Sequence, residues 1–189
     1  DRQMSIWPYE ALAHEGGLAT WWQSLDEERA ASPVLWQPTA PWFEGYGGFF
    51  ERLVYEPSFT ARYVPALDED MRQTLRDSRV HDTIDTITYH LVQVAAEKAL
   101  YRDPSSLEAI CATASARRQA LTETPAYPTS EDGLIYEPAL LSAILWNYPG
   151  YSANFLFAHI VEAWVFEAAS DAHDGNLVGN GSIATYLSK

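Results

Sequence analysis

The sequence predicts a mainly α-helical fold: a single helical domain of about four to six helices with an extended Trp/Pro-rich segment at its N-terminus. Three observations support this prediction. Apolar residues recur at helical spacing after residue 67, capping residues precede the helical stretches, and Trp and Pro concentrate before residue 67. With 189 residues, 47% of them hydrophobic, the chain is long enough to bury a core.

The first 66 residues, which we call the N-terminal strap, are predicted to pack on the helical core of residues 67–189 or on a partner. Five of the seven Trp lie in the strap. The Pro and Gly residues of Pro33–Phe50 predict extended and turn conformations there, because both residue types disfavour a regular helix. A short helix is expected over Leu18–Ala31, and Phe49–Glu56 could form one strand.

The clearest predicted helix covers Arg79–Arg102, and a shorter one is expected before it over Asp68–Asp77. Within the longer helix six apolar residues recur on one face, which we expect to contact the core. These residues are Val80, Ile84, Ile87, Leu91, Val94 and Ala95.

Three more helices follow in the sequence. Ser105 and Glu108 have the spacing of a capping box, which predicts a helix to about Leu121 that contains the single cysteine as a small buried hydrophobe. Pro138 suits the first turn of a helix over residues 139–147. Ser152 can cap the last long helix, and the Gly- and Asn-rich stretch after it is predicted to end that helix in turns.

The charge of the chain restricts its partners. Twelve basic and 26 acidic residues give a net charge of −14, which argues against nucleic-acid binding through phosphates. After Arg118 the only Lys or Arg is Lys189, whereas eight acidic residues follow Arg118. This distribution favours a protein partner with a basic surface.

The sharpest candidate site is the pair His159 and Glu162 in the apolar stretch Phe155–Ala169. They lie three residues apart, so a helix places them on neighbouring positions directed towards apolar surroundings. A buried carboxylate needs a partner. The first interpretation is therefore a buried polar pair in which His159 and Glu162 satisfy each other.

Two functional interpretations of the same pair stay open. A metal ion could be held by His159 and Glu162 together with His90 or His173. Alternatively, burial could raise the pKa of Glu162 and make it a general acid–base group with His159 as its proton partner. A looser calcium site on Asp171, Asp174 and Asn176 is a further alternative. The sequence motifs of the common enzyme classes are absent.

The function we expect is therefore that of a non-catalytic soluble interaction protein, an accessory subunit or a protein-binding module of a larger assembly. The expected partner-binding residues are Trp36, Trp42, Phe43 and Phe49 of the strap, because aromatic side chains are frequent at interface hot spots.

Two alternatives to this function remain. One is a helical metal- or cofactor-dependent enzyme centred on His159 and Glu162, and the other is an acidic inhibitor or immunity-type protein that covers a basic target. We expect no cofactor and no transmembrane segment. The chain begins at Asp1, as a mature chain would after removal of a targeting segment.

Overall fold

The computed structural model describes residues 6–25, 40–123 and 150–187, which are mainly helical and contain no strand. The predicted fold class is confirmed. Five of the helices in these ranges are longer than ten residues and two are short. They are α1 (Trp7–Ser24), α2 (Ala40–Leu53), α3 (Pro57–Tyr63), α4 (Glu69–Arg102), α5 (Leu107–Thr122), α6 (Ser152–Ala172) and α7 (Ser182–Leu187).

The part of the strap that the structure describes is helical. The prediction of extended structure in Pro33–Phe50 is wrong from Ala40 onward, and the possible strand over Phe49–Glu56 is wrong as well. Pro41 lies in the first turn of α2, where a missing N–H costs nothing. Residues 33–39 lie outside the described residues.

Close contacts between helices account for the glycines of α2. A Cβ on Gly45 would lie 2.7 Å from Cβ of Val161, and one on Gly47 would lie 2.8 Å from the His14 ring. These glycines therefore allow α2 to approach α6 and α1. The sequence signal that predicted a break in the helix reflects helix packing instead.

Helix α4 combines the two helices that were predicted from Asp68 to Arg102. Its 34 residues form one uninterrupted helix, because no Pro or Gly separates the two apolar patterns. On the predicted apolar face, Val80 and Ile84 are exposed and the other four residues are only partly buried. The residues that α4 buries are His90, Val92, Gln93, Ala96 and Glu97.

The chain forms two compact units. The first contains the described residues up to Val80 and from Phe157, and the second contains the described residues between His81 and Leu156. Core residues of the first unit are Phe49, Ala169, Leu177 and Ile183. Those of the second unit are Val92, Ala96, Ile110, Cys111 and Ala114, so the cysteine is a buried hydrophobe as predicted.

Some helix ends differ from the prediction, most of all the start of α1. Helix α1 begins at Trp7, well before the predicted Leu18, and residues 26–31 lie outside the described residues. Ser106 instead of Ser105 caps α5, with its hydroxyl accepting a hydrogen bond from the Ala109 N–H at 3.2 Å. Helix α6 ends at Ala172 and is followed by turns, as the Gly- and Asn-rich stretch predicted.

No helix within the described ranges is long and apolar enough to cross a membrane.

Candidate functional site

A partly buried ion-pair network lies in the first unit, with Arg79 of α4 at its centre. The guanidinium group donates to Oε1 of Glu51 at 2.9 Å and to Oε1 of Glu162 at 3.0 Å. Burial would lower the pKa of Arg79, but the negative charges of Glu162 and Glu51 outweigh it and raise that pKa. Arg79 therefore stays charged and neutralises two carboxylates.

His14 of α1 extends the network. Its Nε2 lies 3.5 Å from Glu44 Oε2 and its Nδ1 lies 3.3 Å from Glu51 Oε2. Contacts with Glu44 and Glu51 raise the pKa of His14 from 6.5 to about 9 despite burial, so His14 is protonated at neutral pH. Burial alone would raise the pKa of Glu51, but His14 and Arg79 together lower it.

The structure brings the two residues of the predicted pair together. Nδ1 of His159 lies 3.5 Å from Oε2 of Glu162, and Glu162 is buried. Sequence reasoning missed Arg79, the stronger partner of Glu162. No local signal could have identified it, because Arg79 reaches Glu162 from a distant part of the chain.

The other histidines proposed as metal ligands have separate surroundings. His90 lies in the second unit, where its Nδ1 is 2.9 Å from Gln93 Oε1 and its ring stacks on Phe155 at 4.8 Å. His173 lies 3.3 Å from the Ser182 hydroxyl. No group of three or more His, Cys, Asp or Glu within the described residues is arranged to hold a metal ion.

A second polar cluster lies in the second unit, around the buried carboxylate of Glu97. Its Oε1 accepts hydrogen bonds from the Ser152 hydroxyl at 3.1 Å and from the Gly150 N–H at 3.2 Å. The carboxylate thus lies beside the N-terminus of α6, where the helix dipole favours negative charge. Ser152, which was predicted to cap this helix, is its first residue, and its hydroxyl donates to Glu97.

An aromatic cavity of about 390 Å³ opens at the surface of the first unit. Trp42 of α2 and Trp164 of α6 meet edge to face beside it, with ring centroids 5.5 Å apart and ring planes at 72°. They remain 41% and 59% exposed. The described residues that line the cavity are Trp21, Trp42, Tyr46, Trp164, Val165, Ala168, Tyr186 and Leu187.

Helical spacing explains how α2 and α6 form the cavity. Trp42 and Tyr46 are four residues apart on α2, as Trp164 and Ala168 are on α6, so each pair shares one helix face. Trp21 of α1 meets Tyr46 edge to face at 5.5 Å. Burial of Tyr46 raises its pKa, so this phenol stays neutral around pH 7.

The residues predicted to bind a partner fall into three groups. Trp42 is exposed at the aromatic cavity, whereas Phe43 is half-buried against Trp22, with ring centroids 5.6 Å apart. Phe49 is 0% exposed and belongs to the core, so a partner cannot reach it in this conformation. Trp36 lies outside the described residues. Sequence reasoning missed Trp164, whose position within an apolar helix suggested burial.

Comparison of the chain with protein-family models, with curated proteins and with solved structures found no match.

Proposed function

We propose that this chain is a non-catalytic interaction protein, an accessory subunit or protein-binding module, which receives a basic partner at the aromatic cavity. The observation that carries the proposal is the joint exposure of Trp42 and Trp164 at the mouth of an apolar cavity. Large aromatic side chains beside a pocket are the residues that most often dominate binding energy at protein interfaces.

The charge distribution supports a basic partner. Between Phe157 and Leu187 the chain contains four acidic residues and no Lys or Arg. Most of α6 and the whole of α7 lie in this segment, and these two helices supply five of the described residues that line the cavity. A partner with positive charge around its inserted group would be attracted to this surface and would associate faster at low salt.

The polar network around Glu162 does not favour the enzyme alternative. The Arg79 guanidinium and the His159 ring already meet the Glu162 carboxylate, which gives this buried group a structural role. We therefore do not propose catalysis or metal binding by His159 and Glu162. An acidic inhibitor of a basic target is the same proposal with an enzyme as the partner.

Selection from a displayed random-peptide library tests the proposal. Peptides enriched on the wild-type chain are synthesised with a fluorophore, and their dissociation constants are measured by anisotropy. We expect enrichment of basic peptides and weakening by about tenfold or more for Trp164→Ala, the range of an aromatic hot spot.

Trp7→Ala is the matched control, because Trp7 is 68% exposed on α1 and does not line the cavity. It should leave the dissociation constants unchanged. Absence of any enriched peptide, or equal weakening by Trp7→Ala and Trp164→Ala, would refute the proposal. Circular dichroism of each variant verifies that the helices remain.

A further inference from the structure

Aromatic rings dominate the aromatic cavity. Three Trp and two Tyr are among the eight described residues that line it, and the other three are Val165, Ala168 and Leu187. The faces of indole and phenol rings carry partial negative charge and attract cations, with Trp the strongest of them. An aliphatic ligand would need only carbon surface, whereas aromatic rings can also attract a positive charge.

The neighbouring rings of the lining are tilted against each other and are not stacked. The planes of Trp42 and Trp164 meet at 72°, and those of Trp21 and Tyr46 meet at 62°. Rings at such angles can present faces to one bound group from several sides, which is how aromatic cages hold quaternary ammonium groups. The volume of about 390 Å³ falls within the range of small-ligand sites.

Charge around the cavity also favours a cation. No Lys or Arg is among the described residues that line it. Asp171 is exposed and follows Trp164 by seven residues and Ala168 by three, so helical spacing places it on the same face of α6. An anionic ligand would meet both this carboxylate and the net charge of −14.

The lining offers few hydrogen-bond acceptors, which favours an alkylated ammonium group over a bare one. A bare lysine ammonium has three N–H donors and is strongly hydrated, so its burial here would leave donors unpaired. The side chains of the described lining offer only two hydroxyl acceptors, those of Tyr46 and Tyr186, for the three N–H groups of such an ammonium. A trimethylammonium group has no N–H to satisfy.

We propose that the aromatic cavity binds a quaternary ammonium group, supplied by a trimethylated lysine side chain of the partner. This inference rests on the proposed function and names the group that the partner inserts. A trimethyl-lysine combines the cation with an apolar stem, and the basic sequence around it would suit the acidic surface.

A pair of isosteric probes tests the need for charge. Choline and its neutral analogue 3,3-dimethylbutan-1-ol have the same shape, and calorimetry measures the binding of each to the full chain. We expect choline to bind at least about tenfold more tightly, as a cation–π contribution implies. Equal binding of the two probes, or binding of neither, would overturn the inference.

Peptides identify the source of the ammonium group. A basic peptide with one trimethyl-lysine is compared with the same peptide carrying unmodified lysine and with free choline. We expect the trimethylated peptide to bind most tightly, and Trp164→Ala but not Trp7→Ala to weaken it by about tenfold. Equal affinity for the two peptides, or for the trimethylated peptide and choline, would overturn the assignment to lysine.

The displayed peptides separate failure of this inference from failure of the proposed function. If they bind at Trp164 and neither choline nor the trimethylated peptide displaces them, the proposed function stands and the quaternary ammonium group is wrong. If nothing binds at Trp164, both proposals are wrong.

Discussion

The indole rings of Trp42 and Trp164 contact each other edge to face across two helices, and both remain open to solvent. A buried aromatic residue such as Phe49 stabilises the folded core, whereas an exposed aromatic pair contributes little to the free energy of unfolding. We therefore expect Trp164→Ala to lower the free energy of unfolding by about 1 kcal/mol or less, and Phe49→Ala to lower it by about 3–5 kcal/mol. Urea denaturation measures both. A loss as large as that of Phe49→Ala would show that Trp164 is a core residue.

Arg79→Met should destabilise the chain strongly. The substitution leaves the Glu51 and Glu162 carboxylates without the cation that neutralises them in a buried position. Breaking such a buried pair costs about 3–5 kcal/mol of unfolding free energy, and the partial exposure of Glu51 places our expectation near the lower value. Urea denaturation at neutral pH provides the measurement.

The control for Arg79 is Arg76→Met on the same helix. Arg76 contacts Glu69, whose side chain is largely exposed, so the loss should be about 1 kcal/mol or less. Equal effects of the two substitutions would contradict the central role of Arg79 in the network.

The stability of the chain should depend on the protonation of His14. Since its pKa is about 9 when folded and 6.5 ordinarily, its stabilising contribution is complete below pH 6.5 and disappears as pH rises through 9. Wild type should exceed His14→Gln by on the order of 2 kcal/mol at pH 6, with no such advantage at pH 10. Denaturation curves at both pH values test this. A constant difference would mean that the charge of His14 is not involved.

The lowered pKa of Glu51 predicts that the folded chain also loses stability at acid pH. A carboxylate with a depressed folded pKa stabilises the protein above its ordinary pKa of 4.5, and this contribution disappears as pH falls through the folded value. In the Glu51→Gln variant, the loss of stability from pH 6 to pH 3 should therefore be smaller than in wild type. An unchanged acid transition would contradict the ion pairs of Glu51.

The adjacent glycines Gly16 and Gly17 of α1 should respond oppositely to alanine. A Cβ on Gly16 meets nothing within 4 Å, so Gly16→Ala should raise stability by about 0.5–1 kcal/mol through helix propensity. A Cβ on Gly17 would lie 2.7 Å from the Phe50 ring and 3.1 Å from Cα of Gly47, so Gly17→Ala should cost about 1–3 kcal/mol. Thermal denaturation distinguishes the two signs, and equal effects would contradict the packing of α1 on α2.

Local sequence patterns were sufficient to predict the helical class, but not the faces that the helices bury. In α4 the apolar periodicity selected Val80 and Ile84, whereas packing buries His90, Gln93 and Glu97. His90 and Gln93 contact each other, and Glu97 becomes a core residue because a partner elsewhere in the fold, Ser152, satisfies it. Such partners are invisible in a window of adjacent residues.

At the candidate site, too, local sequence patterns predicted contacts between near neighbours but not contacts between distant parts of the chain. His159 and Glu162 are three residues apart, so helical spacing predicted their contact, but Arg79 joins them only through the tertiary fold. The glycines of α2 misled the prediction of secondary structure because their role also depends on the tertiary fold. Gly45 and Gly48 look like helix breakers in the sequence, but in α2 they make room for Val161 and Glu162 of α6.

The most direct test of the central claim is a ¹⁹F NMR titration of the 5-fluorotryptophan-labelled chain with choline, with resonances assigned by single Trp→Phe substitutions. If the aromatic cavity is the binding site, the resonances of Trp21, Trp42 and Trp164 shift together and saturate with one dissociation constant, while that of Trp7 stays in place. Shifts that do not saturate, or that affect Trp7 as much as Trp164, would contradict the claim.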